Sequence, residues 1–158
     1  MANTFEILSH VGVGPLRFGM TPAEVAAQLG PPEISRRNML KKLSESRGWI
    51  ATMYEKDTDR LTEVGFSRFF ENLIYGGMNI FKDPDQAVLK KLCNEDGKPY
   101  QTLGFIVLLS LGIALTGFHD GNEDQKACTV FAKGTWGIEK DELKPFKLSG
   151  TEKTPKKK

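Results

Sequence analysis

Residues able to do chemistry are few in this chain, and their spacing keeps them apart. The two histidines are His10, near the start, and His119, far along the chain. The two cysteines, Cys93 and Cys128, form no C-x-x-C pair, so no histidine/cysteine set has zinc spacing. A thiol–imidazole pair would need a cysteine on a sharp turn beside a positioned base, and neither cysteine stands in turn-like sequence. Gly12-Val-Gly14 lacks the further, helix-opening glycine of a phosphate loop. Asp120, Glu123 and Asp124 crowd the segment His119–Gln125 but do not alternate towards a distal glutamate, as a calcium loop requires. A pair of carboxylates of the glycosidase kind stays open, because their separation is a property of the fold. Nothing in the inventory calls for a metal or a cofactor, and the chain reads as a non-enzyme.

The same residues make better sense as binding groups. Asp120, Glu123 and Asp124 form a negative finger suited to cationic groups on a protein partner. Trp136, in Gly134-Thr-Trp-Gly137, and Trp49 are the aromatics suited to anchor such a contact if exposed. Residues 33–47 are basic, with Arg36, Arg37, Lys41, Lys42 and Arg47 against Glu33 and Glu45. This stretch is either a solvated face or a contact for an acidic partner.

The chain has 158 residues, 39% apolar and 27% charged, which suits one globular domain. Its formal charge of +2 misleads. The tail alone, Lys153, Lys156, Lys157 and Lys158 against Glu152, contributes +3, leaving −1 for residues 1–150. A body without a basic balance argues against nucleic acid as a partner. Residues 1–20 show no basic segment leading into an apolar run, so a cytoplasmic location is expected. Residues 103–118 are apolar but too short for an ordinary membrane span.

These groups must be positioned by elements that the sequence punctuates clearly. Thr21 suits a helix N-cap, Pro22 the first helical position, and Glu24 completes a capping box, with Met20 and Val25 as the apolar staple. Gly30 and Pro31-Pro32 end that helix. Asp83-Pro84-Asp85-Gln86 repeats the start grammar about 62 residues on, with Asp83 as the cap and Gly97 near the stop. Strands are expected over 49–56 and 61–69 around a turn at 56–60, then over 73–81 with a bulge at Gly76-Gly77, and over 103–109, 111–116 and 127–133. Residues 38–44 are expected as a loop or short helix, and residues 147–158 as a basic tail.

The run Gly12-Val-Gly-Pro-Leu-Arg-Phe-Gly-Met-Thr-Pro-Ala-Glu-Val-Ala-Ala-Gln-Leu-Gly-Pro-Pro32 resembles the opening of a group of small bacterial immunity-type proteins. Its core, G-M-T-x-x-E-V-x-x-x-L-G-x-P, is similar to the helix entry of BamE-type lipoproteins and the beta-lactamase inhibitor protein. The segments 111–115 and 129–136 look like the closing strands of the same group. The resemblance implies an α+β fold of tandem helix-plus-antiparallel-sheet repeats within 1–146, about 1–72 and 73–146. It also implies a non-catalytic immunity protein that neutralises a cognate toxin, and the expected cytoplasmic location implies a toxin that acts inside the cell, such as a nuclease.

Overall fold

The computed structural model describes residues 4–39, 41–102, 104–118, 126–135 and 144–146. The capping box at Thr21 forms as the sequence dictates: Glu24 N–H donates to Thr21 Oγ1 at 3.2 Å, and Thr21 N–H donates to Glu24 Oε1 at 2.9 Å. It opens helix α1 (Pro22–Leu29), whose buried residue is Val25. Gly30, at φ 88°, closes the helix by donating its N–H to the Ala26 carbonyl. Ahead of this helix lie three short strands, β1 (Phe5–Leu8), β2 (Gly12–Val13) and β3 (Leu16–Arg17). Gly12 is required by packing, since a Cβ there would sit 2.0 Å from the Leu16 carbonyl oxygen.

After α1 the chain forms an antiparallel meander, β4 (Ile34–Arg37), β5 (Leu43–Arg47), β6 (Ile50–Tyr54) and β7 (Leu61–Ser67). The loop or short helix expected over 38–44 is therefore a hairpin. Asn38 N–H donates to the Lys42 carbonyl and Lys41 adopts φ 69°, closing a tight turn. The alternation of β5 was hidden because its inward residues are Glu45 and Arg47 instead of apolar ones.

Strand β8 (Leu73–Tyr75) returns through Gly76-Gly77 to β9 (Met78–Asn79), so the expected bulge is a two-residue turn with both glycines at positive φ. Helix α2 (Asp85–Asp96) follows, with Gly97 as its left-handed cap. Asp83 does not cap it. Pro84 occupies the N-cap without a side-chain bond, because Asp83 donates its N–H to Asn79 and belongs to the preceding turn. A second meander comprises β10 (Tyr100–Thr102), β11 (Phe105–Leu108), β12 (Ile113–Thr116) and β13 (Ala127–Phe131). Strand β14 (Lys144–Pro145) pairs with β10.

Two sheets result. The smaller has the order β3-β2-β1-β8-β9, with β1 and β8 parallel; the larger has the order β14-β10-β11-β12-β13-β7-β6-β5-β4. The fold is thus mostly sheet, with short helices of 8 and 12 residues, and the expected α+β architecture of helix-plus-sheet repeats is corrected. The reason is local. Two-residue strands such as β2, β3 and β9 are too short to show a period, and the lead-in containing β2 and β3 reads as irregular.

The main core lies between the inner face of the large sheet and a layer made of the small sheet and the helices. Phe5 of β1 meets Phe66 of β7 edge to face across it, with ring centroids 6.1 Å apart. Val88, Leu89 and Leu92 of α2 are fully buried there. Asp96, at the end of α2, accepts the N–H groups of Ser110 and Leu111 and so ties the β11–β12 turn to the helix. Gly112 must be glycine at that turn: it sits at φ 72°, and a Cβ would approach the Phe131 carbonyl oxygen to 2.7 Å.

Candidate functional site

Register across the large sheet places one residue from every strand on a single row of the outer face. Following the pairs from edge to edge, the row reads Ile34, Ser46, Ala51, Gly65, Thr129, Ala114, Val107, Tyr100 and Pro145. Bulk is therefore absent from the middle of the row. A second row, Arg36, Ser44, Met53, Glu63 and Phe131, flanks it on one side, and Ser67, Ala127 and Thr116 flank it on the other. Small side chains on adjacent strands leave a trough in the sheet surface. It forms a groove of about 390 Å³ lined by residues including Ser46, Ala51, Met53, Gly65, Ala127 and Thr129.

One end of the trough carries an aromatic platform. Trp49, in the β5–β6 turn, is 55% exposed, and Phe69, just past β7, is 49% exposed. Their rings lie 4.8 Å apart at 43°, and the Arg68 guanidinium stands 4.2 Å above the Phe69 ring. These rings meet each other, so the exposed apolar area forms one continuous patch. The floor is open at Gly65, where a Cβ would meet only ordinary contacts, the nearest being Thr129 Oγ1 at 3.6 Å. Towards β10 the same face closes. Val107, Ala114 and Phe131 are buried there, with Tyr100, Phe105 and Leu109 packed against them.

Beneath the trough, the inner face of β5 and β6 carries a polar network. Tyr54 Oη donates to Glu45 Oε1 at 2.8 Å, Thr52 Oγ1 lies 3.1 Å from Tyr54 Oη, and Arg47 Nη2 stands 3.3 Å from Glu45 Oε1. Arg47 Nε also donates to the Gly30 carbonyl at 2.8 Å, which sets a cation at the C-terminal end of α1. Burial, outweighing the hydrogen bond with Thr52, pushes the Tyr54 hydroxyl up to about 12. This network braces the sheet against the helix; it does not reach the trough, since Glu45 and Arg47 lie on the opposite face from Ser44 and Ser46.

The thiols are placed for packing. Cys93 and Cys128 are free and buried in the main core. Burial, with Asp96 adding to it, pushes the Cys93 thiol up to about 11, and burial alone raises Cys128. Neither supplies a thiolate at neutral pH. His10 instead reaches Ser110, with Nε2 3.0 Å from its carbonyl. Among the described residues, no three histidine, cysteine, aspartate or glutamate side chains gather to hold a metal ion.

The predicted contact residues Asp120, Glu123, Asp124 and Trp136 lie outside the described residues. Of the aromatics considered from sequence, Trp49 is exposed at the trough's end. No family model, curated protein or solved structure matches this chain. Among the described residues, no helix is long and apolar enough to cross a membrane. Sequence reading missed Ser44, Ser46, Gly65, Phe69 and Thr129 as surface-forming residues. The available signal was the run of small residues at alternate positions of β5, β6, β7 and β13, which gains meaning only once register aligns them.

Proposed function

We propose that this chain is a non-catalytic binding protein of the immunity type, which docks a cognate toxin domain in the trough and blocks it. The observation that carries the reading is the row Ser46-Ala51-Gly65-Thr129 on the outer face, bare of bulk and bordered by the Trp49–Phe69 pair. A face fixed by nine hydrogen-bonded strands loses little freedom on binding, which favours affinity. The trough's four strands, β5, β6, β7 and β13, span roughly 14 Å at the usual strand spacing. The flanking rows make the open area about 13 Å long. That is well short of the ~800 Å² per partner of a stable interface, so rim groups must add to it. Trp49, Phe69 and Arg68 are the described rim groups; Asp120, Glu123, Asp124 and Trp136 are contact candidates on sequence grounds alone.

The resemblance of residues 12–32 to immunity-type proteins supports a toxin as the partner, and the expected cytoplasmic location gives that toxin an intracellular site of action. A nuclease would present a basic cleft to Asp120, Glu123 and Asp124. Co-expression with the product of the neighbouring gene tests the reading. The chain should restore growth to cells making that product and co-purify with it. A toxic neighbour that is neither bound nor neutralised would contradict it.

A further inference from the structure

We propose that the open edge of β4 is a second docking site, which takes an extended strand from another protein as a tenth, antiparallel strand of the large sheet. That strand would carry a carboxylate opposite Arg36 and an apolar side chain opposite Ile34. Strand β4 ends the order of the large sheet, and all four of its residues are exposed. The Asn38 N–H to Lys42 carbonyl bond makes residues 38 and 42 a hydrogen-bonded pair. Antiparallel alternation then assigns 36/44 and 34/46 to the same class and turns the N–H and C=O of Ser35 and Arg37 towards the open edge. Such a row of backbone groups is a template for an added strand.

Charge selects the occupant. Arg37 is already held by Asp59 through two bonds of 3.0 and 2.7 Å, and the Glu33 carboxylate accepts the Gly48 N–H. Arg36 has no ion-pair partner among the described residues and shares the outer face with Ile34, which is 50% exposed. A second copy of this chain is a poor occupant. The two-fold registers that match the outward groups set Arg36 opposite Ile34, Arg36 or Asn38, none of them a carboxylate. An incoming strand reading Glu-x-Val meets both requirements, because antiparallel pairing brings its glutamate to Arg36 and its valine to Ile34.

Two capped pentapeptides test this on the full chain, Thr-Glu-Thr-Val-Thr and its counterpart with lysine in place of glutamate. The readout is amide-resolved hydrogen exchange. In the free chain the Ser35 and Arg37 amides should exchange fast, and the glutamate peptide should protect both while the lysine peptide does not. Ser35→Pro removes an outward donor without breaking the β4–β5 ladder and should weaken binding roughly two- to tenfold, the worth of one hydrogen bond. Arg36→Glu, which alters only an exposed side chain, should reverse the preference between the peptides. Gly65→Val, which fills the trough, should leave this binding unchanged, separating failure at the edge from failure at the trough. Four results would overturn the proposal: equal response to both peptides, no protection at Ser35 and Arg37, protection that rises with chain concentration alone, or displacement of the peptide by a single-stranded oligonucleotide.

Discussion

The meander β4–β7 and the meander β10–β13 join through the β7–β13 ladder and share the main core, yet they treat their outer faces in opposite ways. In the second meander the inner face is apolar, with Ile106, Leu108, Ile113 and Leu115 fully buried, and the outer face is closed over Val107, Ala114 and Phe131. In the first, the inner face combines apolar Leu61, Val64 and Phe66 with the polar group Glu45, Arg47, Thr52 and Tyr54, and the outer face holds serines, Ala51 and Gly65. Packing covers both faces of one half but only the inner face of the other, which leaves a surface there that can receive a partner. A sheet whose two halves were packed alike on both faces would have no open side.

The largest expected effect breaks this contrast from the packed side. Leu115→Ala removes a fully buried side chain and should cost about 2–5 kcal/mol by denaturant titration. Ile50→Ala lies on the same inner row, linked through Phe66 and Cys128, but is half-buried and should cost clearly less. Equal costs would remove the asymmetry. Arg47→Ala should cost about 3–5 kcal/mol, because it leaves Glu45 buried without its cation. The double replacement Glu45→Leu with Arg47→Met should recover much of that loss, since no uncompensated charge then remains.

A smaller effect appears at alkaline pH. The folded-state value of Tyr54, about 12, lies above the ordinary tyrosine value of 10. The neutral hydroxyl is therefore favoured by folding, and its contribution is complete below pH 10 and is lost as pH rises towards 12. Tyr75 is also raised, by burial and then by Glu95, so the wild-type slope contains both tyrosines. Denaturant midpoints measured against pH should fall less steeply for Tyr54→Phe than for wild type, and identical slopes would remove Tyr54 from the network. Smallest of all, Asp59→Ala at the exposed Arg37 pair should leave the midpoint unchanged within error.

How much of this was legible in the sequence follows from what each element displays. Helix α1 could be read residue by residue because Thr21, Pro22, Glu24 and Gly30 act through their own local bonds. The β6–β7 hairpin could be read because Leu61, Val64 and Phe66 are apolar where they face the core. Strand β5 could not, because its inward positions carry charges that pair with each other and with groups of β6 and the end of α1. Asp83 misled because a capping sequence competes with the turn before it, and Asn79 wins that N–H. The trough was invisible for a different reason: Ser46, Ala51, Gly65 and Thr129 are spread over four strands, and only pairing register brings them side by side.

The trough itself is tested most directly by filling its floor. Gly65 has ordinary clearance for a Cβ and faces the open trough, so Gly65→Val should fold with a denaturant midpoint at or above that of wild type, valine being favoured in strands. In cells co-expressing the product of the neighbouring gene, wild type should restore growth and co-purify with it, whereas folded Gly65→Val should do neither. Full rescue and undiminished co-purification by Gly65→Val would show that the partner docks elsewhere on the molecule.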